Sequence, residues 1–264
     1  NFPPLTARFL IEKYLPEGQQ KTPRRPNVFR SVENPAEFVG GEPLAWTMFD
    51  PCAGFGGRLL GAISSKKILQ YFGTDPNSLN KGCYQQLVNF YKKHIGTQSS
   101  VDIKYLPVED YDTKSYHSVK GLTDFRQPTN IGNYVVDLVL TSPPYFDREI
   151  YSNEPTQSSN RYRTYKEWKE KFLEVLIEKS SKLLITDRYM LLNVADIKRG
   201  ELDYIPLEQD TIEIATKHHF SYEGKIGMVM ARMIGTKPSE MKNNWFDEET
   251  NNYYKIEPIL VFKK

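Results

Sequence analysis

Cysteine is nearly missing from this chain. Cys52 and Cys83 are the two among 264 residues, and they form no C-x-x-C pair. That excludes a disulfide framework and a thiolate zinc site, and it fits a reducing compartment, with the cytoplasm as the expected location. The four histidines, His94, His117, His218 and His219, have no ligand spacing to a carboxylate cluster, so no metal is expected. No apolar run approaches the roughly 18 residues that a membrane span requires, so no membrane partner is expected. No signal peptide is visible, but the chain opens on Asn1, which leaves the true N-terminus open. Net charge is also close to absent. A formal +2 names no partner, and local patches say more. Residues 1–30 carry Arg8, Lys13, Lys21, Arg24, Arg25 and Arg30 against Glu12 and Glu17, and residues 157–169 carry Arg161, Arg163, Lys166 and Lys169 against Glu167. Internal repeats, low-complexity blocks and an intact G-x-G-x-x-G are missing as well, and the last of these argues against a nicotinamide dehydrogenase.

What is present is alternation. The length suits one domain, 1–264. Residues 17–43 are rich in Pro, Gly, Arg and Asn and read as an irregular connection. Strands are expected at Leu44–Asp50, Leu69–Asp75, Val101–Leu106, Tyr134–Leu140 and Tyr189–Val194. Helices are expected at Gly57–Ser65 and at Asn77–Ile95, the second with Leu79, Cys83, Leu87, Phe90 and Tyr91 on its buried face. A third runs from Thr164 to Leu184, opened by a Thr164/Glu167 capping box, with Trp168, Phe172, Val175, Leu176 and Leu183 at helical spacing. Phe220–Arg232 and Tyr253–Phe262 read as a late hairpin. Together these predict an α/β fold with a mostly parallel, seven-stranded sheet and an antiparallel terminal hairpin. In such sheets ligands sit at the carboxyl ends of the strands.

Those strand ends carry the chemistry. The first ends on Asp50-Pro-Cys-Ala-Gly-Phe-Gly-Gly-Arg58, where Gly54, Gly56 and Gly57 allow a sharp turn and close approach of a ligand. The second reaches Asp75-Pro76-Asn77, an acid placed to accept from ribose hydroxyls. The third is followed by Glu109 and Asp110, either of which can accept from the exocyclic amine of an adenine ring; Asp110 is the preferred candidate. The fourth, a run of β-formers from Val135, stops on Thr141-Ser-Pro-Pro-Tyr145. Two adjacent prolines have no N–H and fixed φ, which makes a rigid set of acceptors.

In this order and spacing, "DPCAGFGGR", "GTDPN" and "DLVLTSPPY" resemble the amino-methyltransferases of DNA. The resemblance covers about residues 1–195 and the final strand, and it implies a Rossmann-like class I methyltransferase fold with S-adenosylmethionine as cofactor. It implies a cofactor site built from Phe2, Asp50, Pro51, Ala53, Gly54, Gly56, Gly57, Asp75, Pro76, Asp110 and Thr141, divided between a closing segment (1–43) and a cofactor-binding half (44–125). The half from 134 to 264 would be catalytic, through Ser142, Pro143, Pro144 and Tyr145. An exocyclic amine is a poor nucleophile because its lone pair delocalises into the ring. The Ser142 hydroxyl and the Pro143 carbonyl would hold its two protons and draw the nitrogen towards tetrahedral geometry, while Tyr145 would stack on a base flipped from the duplex. Serine in the first place of this tetrapeptide is associated with cytosine more than with adenine. Adenine N6, an RNA base, and a non-catalytic nucleic-acid binder are the competing readings. Two inserts, 146–165 and 233–254, are expected to meet DNA through Arg148, Arg161, Arg163, Lys242 and Trp245. The chain has little length to spare for a recognition domain, so a homodimer or a partner specificity subunit is a further expectation.

Overall fold

Glycine and proline set the boundaries of the first elements. The structure, a computed structural model, describes residues 2–15, 46–97, 99–113, 136–199, 203–230, 244–249 and 252–264. Helix α1 (Pro4–Tyr14) has proline at its first position, where the missing N–H costs nothing. Then follow β1 (Trp46–Asp50), α2 (Gly57–Ser65), β2 (Ile68–Thr74), α3 (Cys83–His94), β3 (Ser100–Lys104), β4 (Val136–Thr141) and the short α4 (Ser158–Arg161). Helix α5 (Tyr165–Trp168) continues through a π-helical turn, 169–173, into α6 (Glu174–Leu183). The chain closes with β5 (Leu184–Asn193), the small hairpin β6 (Ile197–Arg199) and β7 (Asp203–Ile205), α7 (Leu207–Lys217), β8 (Ser221–Val229), β9 (Asn244–Asp247) and β10 (Asn252–Lys263).

The main sheet runs β3-β2-β1-β4-β5-β10-β8, with β9 paired to β10 off this path. The pairs β1–β2, β1–β4, β2–β3 and β4–β5 are parallel, and β10 runs against both β5 and β8. The seven-strand order, with one reversed strand next to the edge, is a Rossmann-like α/β arrangement, and it matches the sheet expected from sequence. Buried side chains alternate between two cores. Phe49, Val139, Met190 and Leu192 face α5–α7, while Met48, Leu138, Leu140 and Leu191 face α1–α3. Strands covered on both faces must be apolar at nearly every position, which is why β1 and β4 read as continuous hydrophobic runs.

The expected helix Asn77–Ile95 needs correction. A 3-10 turn at Ser78–Asn80 is separated from α3 by Gly82, whose φ is 87°. The left-handed glycine takes Leu79, 74% exposed, out of line with α3. Within α3 the expected Leu87 and Tyr91 do pack on the core, beside the buried Tyr84 and Val88, while Cys83 is exposed and Phe90 is 56% exposed. Thr164 caps its helix as expected, accepting from Glu167 N at 3.2 Å. Helix α7 and the β6–β7 hairpin had no counterpart in the sequence reading. The parts of the expected elements at 44–45 and 134–135, the connection 17–43, and most of the 233–254 insert fall outside the described residues.

Candidate active site

Asp50 ends β1 with a carboxylate that is 0% exposed and fully engaged. It accepts from Arg58 Nε (2.7 Å), Tyr71 Oη (2.6 Å), Thr141 Oγ1 (2.8 Å) and Cys52 N (3.2 Å). Thr141 is likewise buried, and neither residue lines the cleft that opens at the strand ends. Both were expected to touch a ligand; they instead brace the loop and the end of β4 from beneath. The loop above Asp50 turns through Gly54 (φ 59°) and Gly56 (φ 83°). Gly57 has a different reason to be glycine. A Cβ there would stand 2.1 Å from the carbonyl oxygen of Phe2, and one on Gly61 would stand 2.5 Å from Ala7 Cβ. Helix α1 therefore lies directly on α2, and this brings Phe2 to the cleft wall. The Phe2 ring packs over the Arg58 guanidinium at 5.5 Å. Arg58, absent from the sequence-based candidates, also lines the cleft and donates to the Cys52 carbonyl. Gly56 does not line it.

The cleft encloses about 180 Å³. One end is walled by Pro51, Ala53, Gly54, Gly57, Asp75 and Pro76. Asp75 accepts from Gly54 N (2.7 Å), Asn77 N (3.0 Å) and Asn80 Nδ2 (3.4 Å), so it ties the glycine loop to the loop after β2. Burial raises its pKa, and these donors offset part of that rise.

The next wall separates the two adjacent acids. Glu109 lines the cleft, and Asp110, the candidate preferred from sequence, does not. Asp110 is spent on a two-pronged pair with Arg161, both contacts at 3.1 Å. The Glu109 side chain is 7% exposed, and its Oε2 is buried without a hydrogen-bond partner. Burial raises the Glu109 pKa, opposed by Arg161, 3.4 Å from Oε1, and by the Tyr162 hydroxyl. The loop is stapled from behind. Lys179 on α6 donates to the carbonyls of Val108 (2.9 Å), Glu109 (2.7 Å) and Tyr111 (2.6 Å).

The far end holds the β4 loop. Ser142, Pro144 and Tyr145 line the cleft; Pro143 is buried beneath them, and its carbonyl accepts no hydrogen bond among the described residues. Ser142 Oγ lies 3.0 Å from Asn193 Oδ1, and Asn193 Nδ2 donates to Pro258 O at 2.9 Å. That second bond fixes the direction of the first. A carbonyl cannot donate, so the amide nitrogen must face Pro258, the amide oxygen must face Ser142, and the serine must give its hydrogen to it. The lone pairs of Ser142 are what remain for the cleft. Asn193 ends β5 beside Ser142 because Thr141 pairs with Leu192 in register. Tyr145 is half-buried against the α5–α7 core, and burial pushes its hydroxyl well above the usual range. Met228, Met230, Glu149 and Glu257 close this end, and Phe55 and Tyr151 meet edge to face at 6.0 Å on the cleft wall.

No family model matches the chain, and no curated protein matches it. Solved structures do resemble it. One is a candidate DNA modification methylase from Thermus thermophilus, 20% identical over 51% of this chain and 47% of that one, with a TM-score of 0.34; this chain spans less than half its length. A candidate methyltransferase from Thermoplasma acidophilum is 10% identical over 85% and 70% of the two chains, with a TM-score of 0.47. A precorrin-6y C5,15-methyltransferase from Geobacter metallireducens is 14% identical over 83% and 80%, with a TM-score of 0.42.

The residues expected to meet nucleic acid divide. Arg161 faces Glu109 and Asp110, so its charge is already matched. Arg148 and Arg163 are exposed, with no ion pair among the described residues. Trp245 is 48% exposed beside Tyr254. Lys242 lies outside the described residues. Among the described residues no group of three or more His, Cys, Asp or Glu is placed to hold a metal ion, and no helix is long and apolar enough to cross a membrane.

Proposed function

We propose that the protein transfers a methyl group from S-adenosylmethionine to the exocyclic amine of a base in duplex DNA, with cytosine N4 as the target. The observation that carries this reading is the shared cleft. A glycine turn, a buried acid and a second acid with an unpartnered oxygen form one end, and the Ser-Pro-Pro-Tyr loop forms the other.

The residues fit the cofactor. Phe2, Gly54, Gly57 and Asp75 would enclose its methionine and ribose parts, and Glu109 offers a buried acceptor of the kind an adenine amine satisfies. When bound, the cofactor supplies an electrophilic methyl group on a sulfonium. The chain's own task is to make the amine a nucleophile. Ser142, oriented by Asn193 on the cleft wall, accepts one amine hydrogen; the Pro143 carbonyl, expected to take the other, is unengaged but belongs to a residue behind the lining. The Ser142 acceptor is held before the substrate arrives, so little reorganisation accompanies the change at nitrogen. Tyr145 offers a ring for the flipped base to stack on, and Arg148 and Arg163 are free to meet phosphates.

The test is incubation with labelled cofactor and duplex DNA, followed by digestion to nucleosides. N4-methylcytosine is expected. N6-methyladenine would move the target to adenine, label in RNA alone would overturn the DNA reading, and no label in either would overturn the enzyme reading.

A further inference from the structure

Three buried polar side-chain atoms lack a partner among the described residues: Trp46 Nε1, Glu109 Oε2 and Gln157 Nε2. The first is buried in the core and lies outside the cleft. The other two belong to residues on the cleft wall. Gln157 is 6% exposed, and a buried amide N–H without a partner is costly unless a ligand supplies one. The two residues share the cleft wall and are linked through Arg161. Arg161 N donates to Gln157 O at 2.9 Å, so Gln157, the N-cap of α4, stands one turn before Arg161, and Arg161 reaches Glu109.

We infer that Gln157 and Glu109 together read the amine edge of the cofactor's adenine, with Gln157 as the residue that selects adenine over a 6-oxo purine. The inference rests on the reading of this cleft as the S-adenosylmethionine site. Adenine presents a donor, the N6 amine, beside an acceptor, N1. A carboxylate oxygen beside an amide N–H is the complementary pair. Hypoxanthine and guanine invert both roles: O6 would face the carboxylate, and N1–H would face the amide donor. Rejection then follows from two buried groups left unpaired at once, the circumstance in which discrimination is strongest. A carboxylate alone would sense the amine but leave N1 unread. The inference also gives the 146–165 segment a task other than DNA contact. Its Glu154 accepts from Ser78 N at 3.3 Å, and its Arg161 pairs with Glu109 and Asp110. It is thus fastened to the glycine-loop half of the protein at two points, where it forms a wall of the nucleoside end.

Calorimetry with S-adenosylhomocysteine and with its inosine counterpart tests this without turnover. Wild type should prefer the adenine form by on the order of 100-fold or more. Gln157→Leu keeps the volume, removes the unpaired amide, and should weaken the adenine form about tenfold, the loss of one hydrogen bond. Gln157→Glu places an acceptor opposite N1 and should narrow or reverse the preference by improving the inosine form. Gln157 would be a structural residue only, and the inference overturned, if both variants kept the wild-type preference, or if the wild type did not discriminate. Failure of the wild type to bind the adenine form at all would overturn the cofactor reading with it.

Discussion

Replacing Asn193 separates orientation from contact at the reacting end of the cleft. Asn193 is 2% exposed and touches Ser142 with one end of its amide and Pro258 with the other, at 3.0 and 2.9 Å. Removing Ser142 itself deletes an acceptor, and such losses at a reacting centre cost on the order of 100-fold in rate. Asn193→Ala leaves the serine in place but frees its hydroxyl to rotate among about three staggered wells, so orientation alone accounts for about threefold. The loss grows whenever the freed hydrogen turns towards the amine and meets its protons. Asn193→Ala should therefore lower single-turnover methylation by between about 3- and 100-fold, less than Ser142→Ala, with cofactor affinity unchanged. The variant also strips a buried carbonyl of its donor at a cost of about 1–3 kcal/mol, so rates must be taken on folded protein at a temperature below both transitions. Asn193→Asp adds a check with a definite sign. Protonated, the acid donates to Pro258 and accepts from Ser142 as the amide does; ionised, it faces a carbonyl. Its folded pKa must therefore rise above the usual 3.9 or so, and the stability of this variant should fall as pH rises through that value, with activity following. Folded Asn193→Ala turning over at the wild-type rate would refute the orientation argument, and a flat pH dependence in Asn193→Asp would show that the amide nitrogen does not serve Pro258.

Cofactor affinity should fall on acidification at a pH above 4.5, because burial raises the Glu109 pKa above that value and protonation costs it an acceptor; Glu109→Gln should be weak and pH-independent, and Asp110→Asn near wild type. Identical calorimetric pH profiles for Glu109→Gln and wild type would remove Glu109 from the site. Gly61→Val should lift α1 from α2, since even a Cβ at Gly61 lies 2.7 Å from Pro4 O, costing about 1–3 kcal/mol by overpacking and drawing Phe2 out of the cleft; unchanged thermal stability and cofactor affinity would contradict this. Arg148→Ala with Arg163→Ala should lower the salt slope of DNA binding by about two, one per phosphate contact, while Arg161→Ala should leave that slope alone and weaken cofactor binding. The opposite pattern would place Arg161 on the DNA.

Sequence by itself determined what depends on near neighbours in the chain. Val136–Leu140 reads as a buried strand because both its faces are covered, and the double proline after Ser142 announces a rigid loop without any tertiary information. The capping pair Thr164 and Glu167 lies within one turn and is where the sequence put it. Contacts between distant residues were decided only by folding. Glu109 and Asp110 are adjacent and chemically alike; which one meets the cleft is settled by Lys179 and Arg161, brought to them from elsewhere in the chain. Asp50 reads from sequence as a cofactor contact, and only the fold surrounds its carboxylate with Arg58, Tyr71 and Thr141. Leu79 falls off the face that Leu87 and Tyr91 keep because one left-handed glycine stands between it and α3, a backbone choice that periodicity does not record. Asn193 carries no local signal at all. It matters because parallel pairing of β4 with β5 sets the end of one strand beside the end of the other, and register between strands is a property of the assembled sheet.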